Sequence, residues 1–151
     1  RVTHNDTKIN NVLFGSDGKA KSVIDLDTVM PGVVHYDFGD AIRTIASTAI
    51  EDEVDLEKVG INIDLYASFT KGFLSEIGQL LTQKEIEYLP KAPRMMAFIM
   101  GIRFLADYLR GDTYYKVKHP EHNIQRSRNQ MALITDMESK VDSMRNIVMT
   151  A

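Results

Sequence analysis

The sequence predicts a mainly α-helical α+β chain with one small β-hairpin near its N-terminus. Three observations predict it. Two short apolar runs flank an Asp17-Gly18 turn within the first 26 residues. From about Leu56 onward, apolar residues recur three and four apart, which is the helical period. The balance of 44% apolar and 26% charged residues over 151 positions is that of an ordinary globular chain, long enough to bury a core without staples. No repeat or linker divides it. We read residues 1–151 as one domain, with residues 1–50 holding a loop, the hairpin and a first helix, and 51–151 a helical subdomain.

Each element has a local reason. Val12-Leu13-Phe14 and Ser22-Val23-Ile24-Asp25-Leu26 are the expected strands, joined through Asp17-Gly18, where both residues tolerate positive φ. Pro31-Gly32 turns the chain, and Asp37 or Asp40 starts a helix through Ile42, Ile45 and Ala49. Leu65, Phe69, Phe73 and Ile77 give the stripe of a second helix. Thr82 with Glu85 is a capping box opening a long segment towards Arg110. Pro90 and Pro93 bend its first turns, so the straight part is expected from about Arg94, with Gly111-Asp112 ending it. One last helix is expected from about Asn123, burying Met131, Ile134, Met137, Val141, Met144 and Val148. These stripes are core packing and carry no chemistry.

Composition excludes several classes of function. With 18 Lys+Arg against 21 Asp+Glu the net charge is −3, which gives no electrostatic case for nucleic acid. Zero Cys removes disulfides, thiol nucleophiles and zinc–thiolate sites. It is compatible with a reducing compartment, and a cytoplasmic location is the expectation. No run reaches the ~18 apolar residues of a membrane span, so no membrane partner is expected. The chain opens on Arg1 without a signal-peptide pattern, and a fragment of a longer protein is the expectation.

The chemistry concentrates in the first 27 residues. His4-Asn5-Asp6-Thr7-Lys8-Ile9-Asn10-Asn11 has the H-x-D and Asn spacing of a kinase catalytic loop. There a carboxylate accepts or orients a hydroxyl proton, and an amide oxygen five residues on holds magnesium. With the turn at residues 17–18, Asn11 lies opposite Ile24 or Asp25, which places two hard oxygen donors together. Asp27 shares the face of Asp25 if the strand continues that far. Asp6 is therefore the candidate base, Asn11 and Asp25 the candidate Mg²⁺ ligands, and His4 a scaffold for the loop. Asp37-Phe38-Gly39 spells the D-F-G of protein kinases, but a turn and Pro-Gly separate it from the hairpin. Asp37 is instead expected at a helix start, accepting N–H bonds from the loop or from the helix itself. Arg103 stands in the apolar run Phe98–Leu105 and needs a partner, either Asp107 one turn on or the oxygens of a ligand. Tyr114 offers a hydroxyl and a ring face just past that helix.

H-N-D-T-K-I-N-N, V-I-D-L-D and Y-D-F-G-D together resemble the C-terminal lobe of the aminoglycoside phosphotransferase and choline kinase superfamily. Within it, I-D-L-D-T-V-M-P-G and R-F-L-A-D-Y-L-R-G-D-T-Y-Y resemble the N-acetylhexosamine 1-kinases. The resemblance implies a protein-kinase-like fold with its N-terminal lobe absent, ATP and Mg²⁺ as cofactors, and transfer of a phosphoryl group to the anomeric hydroxyl of an N-acetylhexosamine. It makes Asp6 and Lys8 catalytic, with Lys8 on the γ-phosphate, Asn11 and Asp25 metal ligands, and Arg103 and Tyr114 acceptor contacts. No Gly-rich loop or V-A-I-K-type lysine is present, so this lobe alone is expected to be inactive and to need its N-terminal lobe as partner. Two alternatives stand beside this reading. One is a non-catalytic, pseudokinase-like interaction module. The other is a kinase for a different hydroxylated acceptor, such as an aminoglycoside or choline.

Overall fold

A computed structural model describes residues 1–151. The chain begins with a two-residue strand, β1 (Val2–Thr3), followed by the loop 4–11 and the hairpin strands β2 (Val12–Phe14) and β3 (Ala20–Val23). Gly18, at φ +72°, lets the hairpin turn close, and Gly15 N–H donates to the Lys19 carbonyl at 2.8 Å. Val12 pairs with Val23, and the Ile24 N–H donates to the Asn11 carbonyl at 2.9 Å. Asn11 therefore lies opposite Ile24, one of the two registers expected. The second strand stops three residues earlier than expected. Asp25 takes φ +65°, a left-handed conformation that breaks the extended ladder, and Leu26–Thr28 then forms a 3₁₀ turn. Asp27 consequently does not continue the strand face of Asp25. A further strand, β4 (Met30–Pro31), pairs antiparallel with β1.

Six helices follow: α1 (Val34–Ile45), α2 (Ile63–Ile77), α3 (Gln83–Tyr88), α4 (Ala92–Leu109), α5 (His122–Ser139) and α6 (Val141–Thr150). Helix α1 starts before Asp37 and ends four residues short of Ala49. The Thr82–Glu85 capping box forms at the start of α3. Pro90 lies in a 3₁₀ turn, and Pro93 is accommodated in the first turn of α4, where its missing N–H costs nothing; the long helix thus starts two residues earlier than expected. Gly111 and Asp112 both adopt positive φ after α4. The single last helix expected from the apolar spacing is two helices meeting at Lys140. The Lys140 ammonium donates to the Ile61 carbonyl (3.0 Å) and the Asp136 carboxylate accepts the Ile61 N–H (2.6 Å). The end of α5 is thereby tied to the α1–α2 linker, while α6 packs along α2. No helix is long and apolar enough to cross a membrane.

The core joins Phe38 and Ile42 of α1, Tyr66 of α2, Leu89, Ala97 of α4, Leu133 and Met137 of α5, and Met144 and Val148 of α6. Phe38 sits at its centre, edge-on to Tyr66 and Phe73, an arrangement that adds to the burial of the rings. Helices α1 and α4 meet at Gly39, where a Cβ atom would come within 2.5 Å of the Ala92 carbonyl oxygen and 2.7 Å of Met96 Cγ. Gly39→Ala should therefore force the two helices apart and destabilise the chain by about 1–3 kcal/mol, read as a lower urea midpoint at unchanged slope.

Candidate active site

The loop 4–11 has no regular ladder of its own, so its backbone needs partners. Helix α1 supplies them. The Asp37 carboxylate accepts the N–H groups of His4 (2.9 Å) and Asn5 (2.7 Å) on separate oxygens. The Thr7 hydroxyl donates to the Asp37 carbonyl at 2.5 Å, and the Ile9 N–H to the Thr44 hydroxyl at 3.1 Å. On the other side the Thr28 hydroxyl donates to the His4 carbonyl (2.6 Å), and the Asn5 amide to the Thr28 carbonyl (3.0 Å). His4 Nε2 lies 3.2 Å from the Ile24 carbonyl oxygen. The two residues expected to support the loop both touch its backbone or the hairpin.

Three chemistry-bearing side chains meet at one oxygen. Asp6 Oδ2 accepts Lys8 Nζ at 2.7 Å and Asn11 Nδ2 at 2.9 Å. The buried Asn11 also donates to the Asp6 carbonyl at 2.9 Å, so its amide NH₂ faces Asp6 and its Oδ1 has no protein partner. Asp25, half exposed, brings Oδ2 to 3.9 Å from Lys8 Nζ. The hydrogen bond to Asp6 raises the Lys8 pKa above the ordinary lysine value, against partial burial, with Asp25 and Asp40 adding to the effect.

Asp6 and Lys8 line a cavity of about 510 Å³ that also includes Arg103 and Tyr114, a volume in the range of small-molecule sites. Arg103 is exposed, and its guanidinium lies 5.8 Å from the Tyr114 ring centre and 5.6 Å from that of Tyr115, within cation–π reach. It makes no ion pair with Asp107, the intrachain partner considered from the sequence. Tyr114, though 73% exposed, lies on the cavity side of the loop after α4.

Sequence reasoning missed what folds that loop. Asp107 is 5% exposed and accepts the N–H groups of Thr113 (3.0 Å), Tyr114 (2.9 Å) and Tyr115 (2.9 Å), together with Asn123 Nδ2 (2.9 Å). Burial pushes its pKa up, but the backbone donors outweigh this and hold it below the ordinary carboxylate value. Also unread was Arg43, which lines the cavity at 6% exposure and pairs with Asp40 (2.8 Å) and Glu51 (2.7 Å). An Asp one turn before Gly111 is the only hint of the first, whereas the spacing of Asp40 and Arg43, three apart on α1, was a local signal for the second.

A native pKa below the unfolded value means that Asp107 stabilises the fold above about pH 4 and stops doing so as pH falls through the native value. Asp107→Asn should lower the urea midpoint at pH 7 and flatten the loss of stability on acidification below about pH 4. Equilibrium unfolding across that range checks both. Residues 1–68, which span the loop, the hairpin, α1 and the start of α2, match the model of the phosphotransferase enzyme family APH, and this stretch is similar to that family.

Proposed function

We propose that this chain is the C-terminal catalytic lobe of an ATP-dependent sugar kinase acting on the anomeric hydroxyl of N-acetylhexosamines. The observation that carries the reading is the convergence of Lys8 and Asn11 on Asp6 Oδ2, beside a cavity that Arg103 and Tyr114 also line.

Lys8 and Asn11 fix the Asp6 carboxylate through one oxygen, leaving Oδ1 to take the proton of the acceptor hydroxyl. Holding the base in one rotamer reduces the reorganisation needed at reaction. Asn11 Oδ1 and the Asp25 carboxylate are the oxygens that would hold Mg²⁺. They are hard donors, as that ion requires, and two protein ligands suit an ion that keeps waters and takes phosphate oxygens. ATP, when bound, supplies the phosphoryl group. The Lys8 ammonium, kept charged by Asp6, is placed to neutralise a phosphate oxygen once the substrates approach. Arg103 and Tyr114 orient the acceptor. By the resemblance, adenine is held by an N-terminal lobe, and the 151-residue chain by itself transfers no phosphoryl group.

In the two-lobed protein, Asp6→Asn should lower turnover at least ~100-fold, the usual scale of general-base catalysis, with an unchanged circular dichroism spectrum. Near-normal turnover would refute the role of Asp6. Arg103→Ala should raise the sugar KM much more than the ATP KM; a joint rise accompanied by a lower melting temperature would make Arg103 structural.

A further inference from the structure

The α1–α2 linker, residues 46–62, is closed at its base by the buried Ala46 and Ile61 and by the Asn62 N–H donating to the Ala46 carbonyl at 2.7 Å. Its tip reaches back to the cavity. The tip is held by Asn129, 1% exposed, whose amide donates to the carbonyls of Ile50 (3.1 Å) and Glu53 (3.3 Å). Between those anchors stand two adjacent carboxylates that pair in different directions. Glu51 accepts Arg43 Nη1 at 2.7 Å. Asp52 accepts Lys118 Nζ at 2.7 Å and Arg126 Nε at 2.8 Å, and lies 3.0 Å from His122 Nε2.

The cations they hold come from different helices that line the cavity. Arg43 comes from α1, next to the catalytic loop. Arg126 comes from α5, lies over Phe104 at 5.5 Å and donates to the Lys116 carbonyl at 3.3 Å. Phe104 in turn packs on Tyr115, and Tyr115 on Tyr114, each with ring centres 4.8 Å apart. The Asp52 carboxylate is thus connected through one guanidinium to the aromatic wall that Tyr114 presents.

We propose that Glu51 and Asp52 are positioning residues that bracket the acceptor side of the cleft, Glu51 through Arg43 beside the catalytic loop and Asp52 through Arg126 and the 114–118 segment. The inference rests on the kinase reading above and deepens it. Two neighbouring residues on one backbone cannot move independently, so their two ion pairs fix the spacing between the base and the Tyr114 wall. By the kinase reading adenine is held by the other lobe, so the effect is expected to fall on the acceptor.

The test has two arms. Amide hydrogen exchange of this chain is measured for Asp52→Asn, Asp52→Glu and Glu51→Gln. Asp52→Asn should speed exchange at 114–118 roughly tenfold, the scale of one hydrogen bond to a charged group, with 133–148 unaffected and Asp52→Glu partly restoring protection. In the two-lobed protein, Asp52→Asn and Glu51→Gln should each raise the N-acetylhexosamine KM about tenfold, from the same scale, with the ATP KM little changed. Unchanged exchange at 114–118 would overturn the bracket. So would faster exchange with an unmoved sugar KM, or sugar and ATP KM rising together. If the unsubstituted protein phosphorylates no sugar, the kinase reading falls by itself and the exchange arm alone decides whether Asp52 holds the wall.

Discussion

The structure depends first on the Asp37 carboxylate. Its two oxygens take the His4 and Asn5 N–H groups, and without them the irregular loop would leave two half-buried donors unmatched, at a cost of up to about 1 kcal/mol each. The next two residues complete the arrangement. Phe38 is fully buried at the centre of the core, and Gly39 allows α4 to approach α1. Three consecutive residues, pointing roughly 100° apart around a helix, thereby fix the loop, the core and the neighbouring helix together. The D-F-G of protein kinases carries a metal ligand. Here the same letters do architectural work, and the metal-binding chemistry falls on Asn11 and Asp25 by the reading proposed above.

A second constraint is the buried guanidinium of Arg43. Moving such a charge out of water is costly, and its pairs with Asp40 and Glu51 offset that cost only because both are short. Gln130 Oε1 takes a further, longer contact at 3.4 Å. An apolar residue at position 43 would leave the buried Asp40 carboxylate without its cation, so the guanidinium and its carboxylates depend on one another. What the ion network supplies is geometry: it ties α1, the α1–α2 linker and α5 at one point beside the cavity.

Local signals were legible in the sequence, and long-range ones were not. The Asp17-Gly18 turn, the α2 stripe and the capping box at Thr82 all depend on residues within a few positions of one another. The end of β3 depends on Asp25 entering the left-handed region, which an Asp allows but does not announce. The β1–β4 pair joins residues nearly 30 apart through two-residue strands, too short to show alternation. The break at Lys140 answers to Ile61, 79 residues away, while the apolar spacing runs through it undisturbed. In the candidate site, the spacing of Asp6, Lys8 and Asn11 could be read because the loop is contiguous. The pairs of Asp52 with Lys118 and Arg126 span 66 and 74 residues and have no periodic trace. Arg103 was singled out as a charge in an apolar run. It lies on the exposed face of α4, where no carboxylate is needed, and Asp107 is engaged with the following loop instead.

The distribution of charge ties these points to the chemistry. The whole chain carries −3, yet the cavity beside Asp6 is lined by five cations, Lys8, Arg43, Arg103, Lys116 and Arg126, against three carboxylates, Asp6, Asp40 and Glu51. Arg43 and Lys8 are neutralised by those carboxylates, and Arg126 by Asp52 from outside the cavity lining. Arg103 and Lys116 have no carboxylate partner. A cleft of one sign in a chain of the other focuses potential on its mouth, and the excess here is positive. Phosphate oxygens are what such a potential favours. One of these cations, the Lys8 ammonium, donates to Asp6 Oδ2 at 2.7 Å, so the candidate base is in direct contact with the cationic lining. Base and cationic surroundings therefore support each other, and the pairing pattern that produces both is set by tertiary contacts between α1, the α1–α2 linker, α4 and α5.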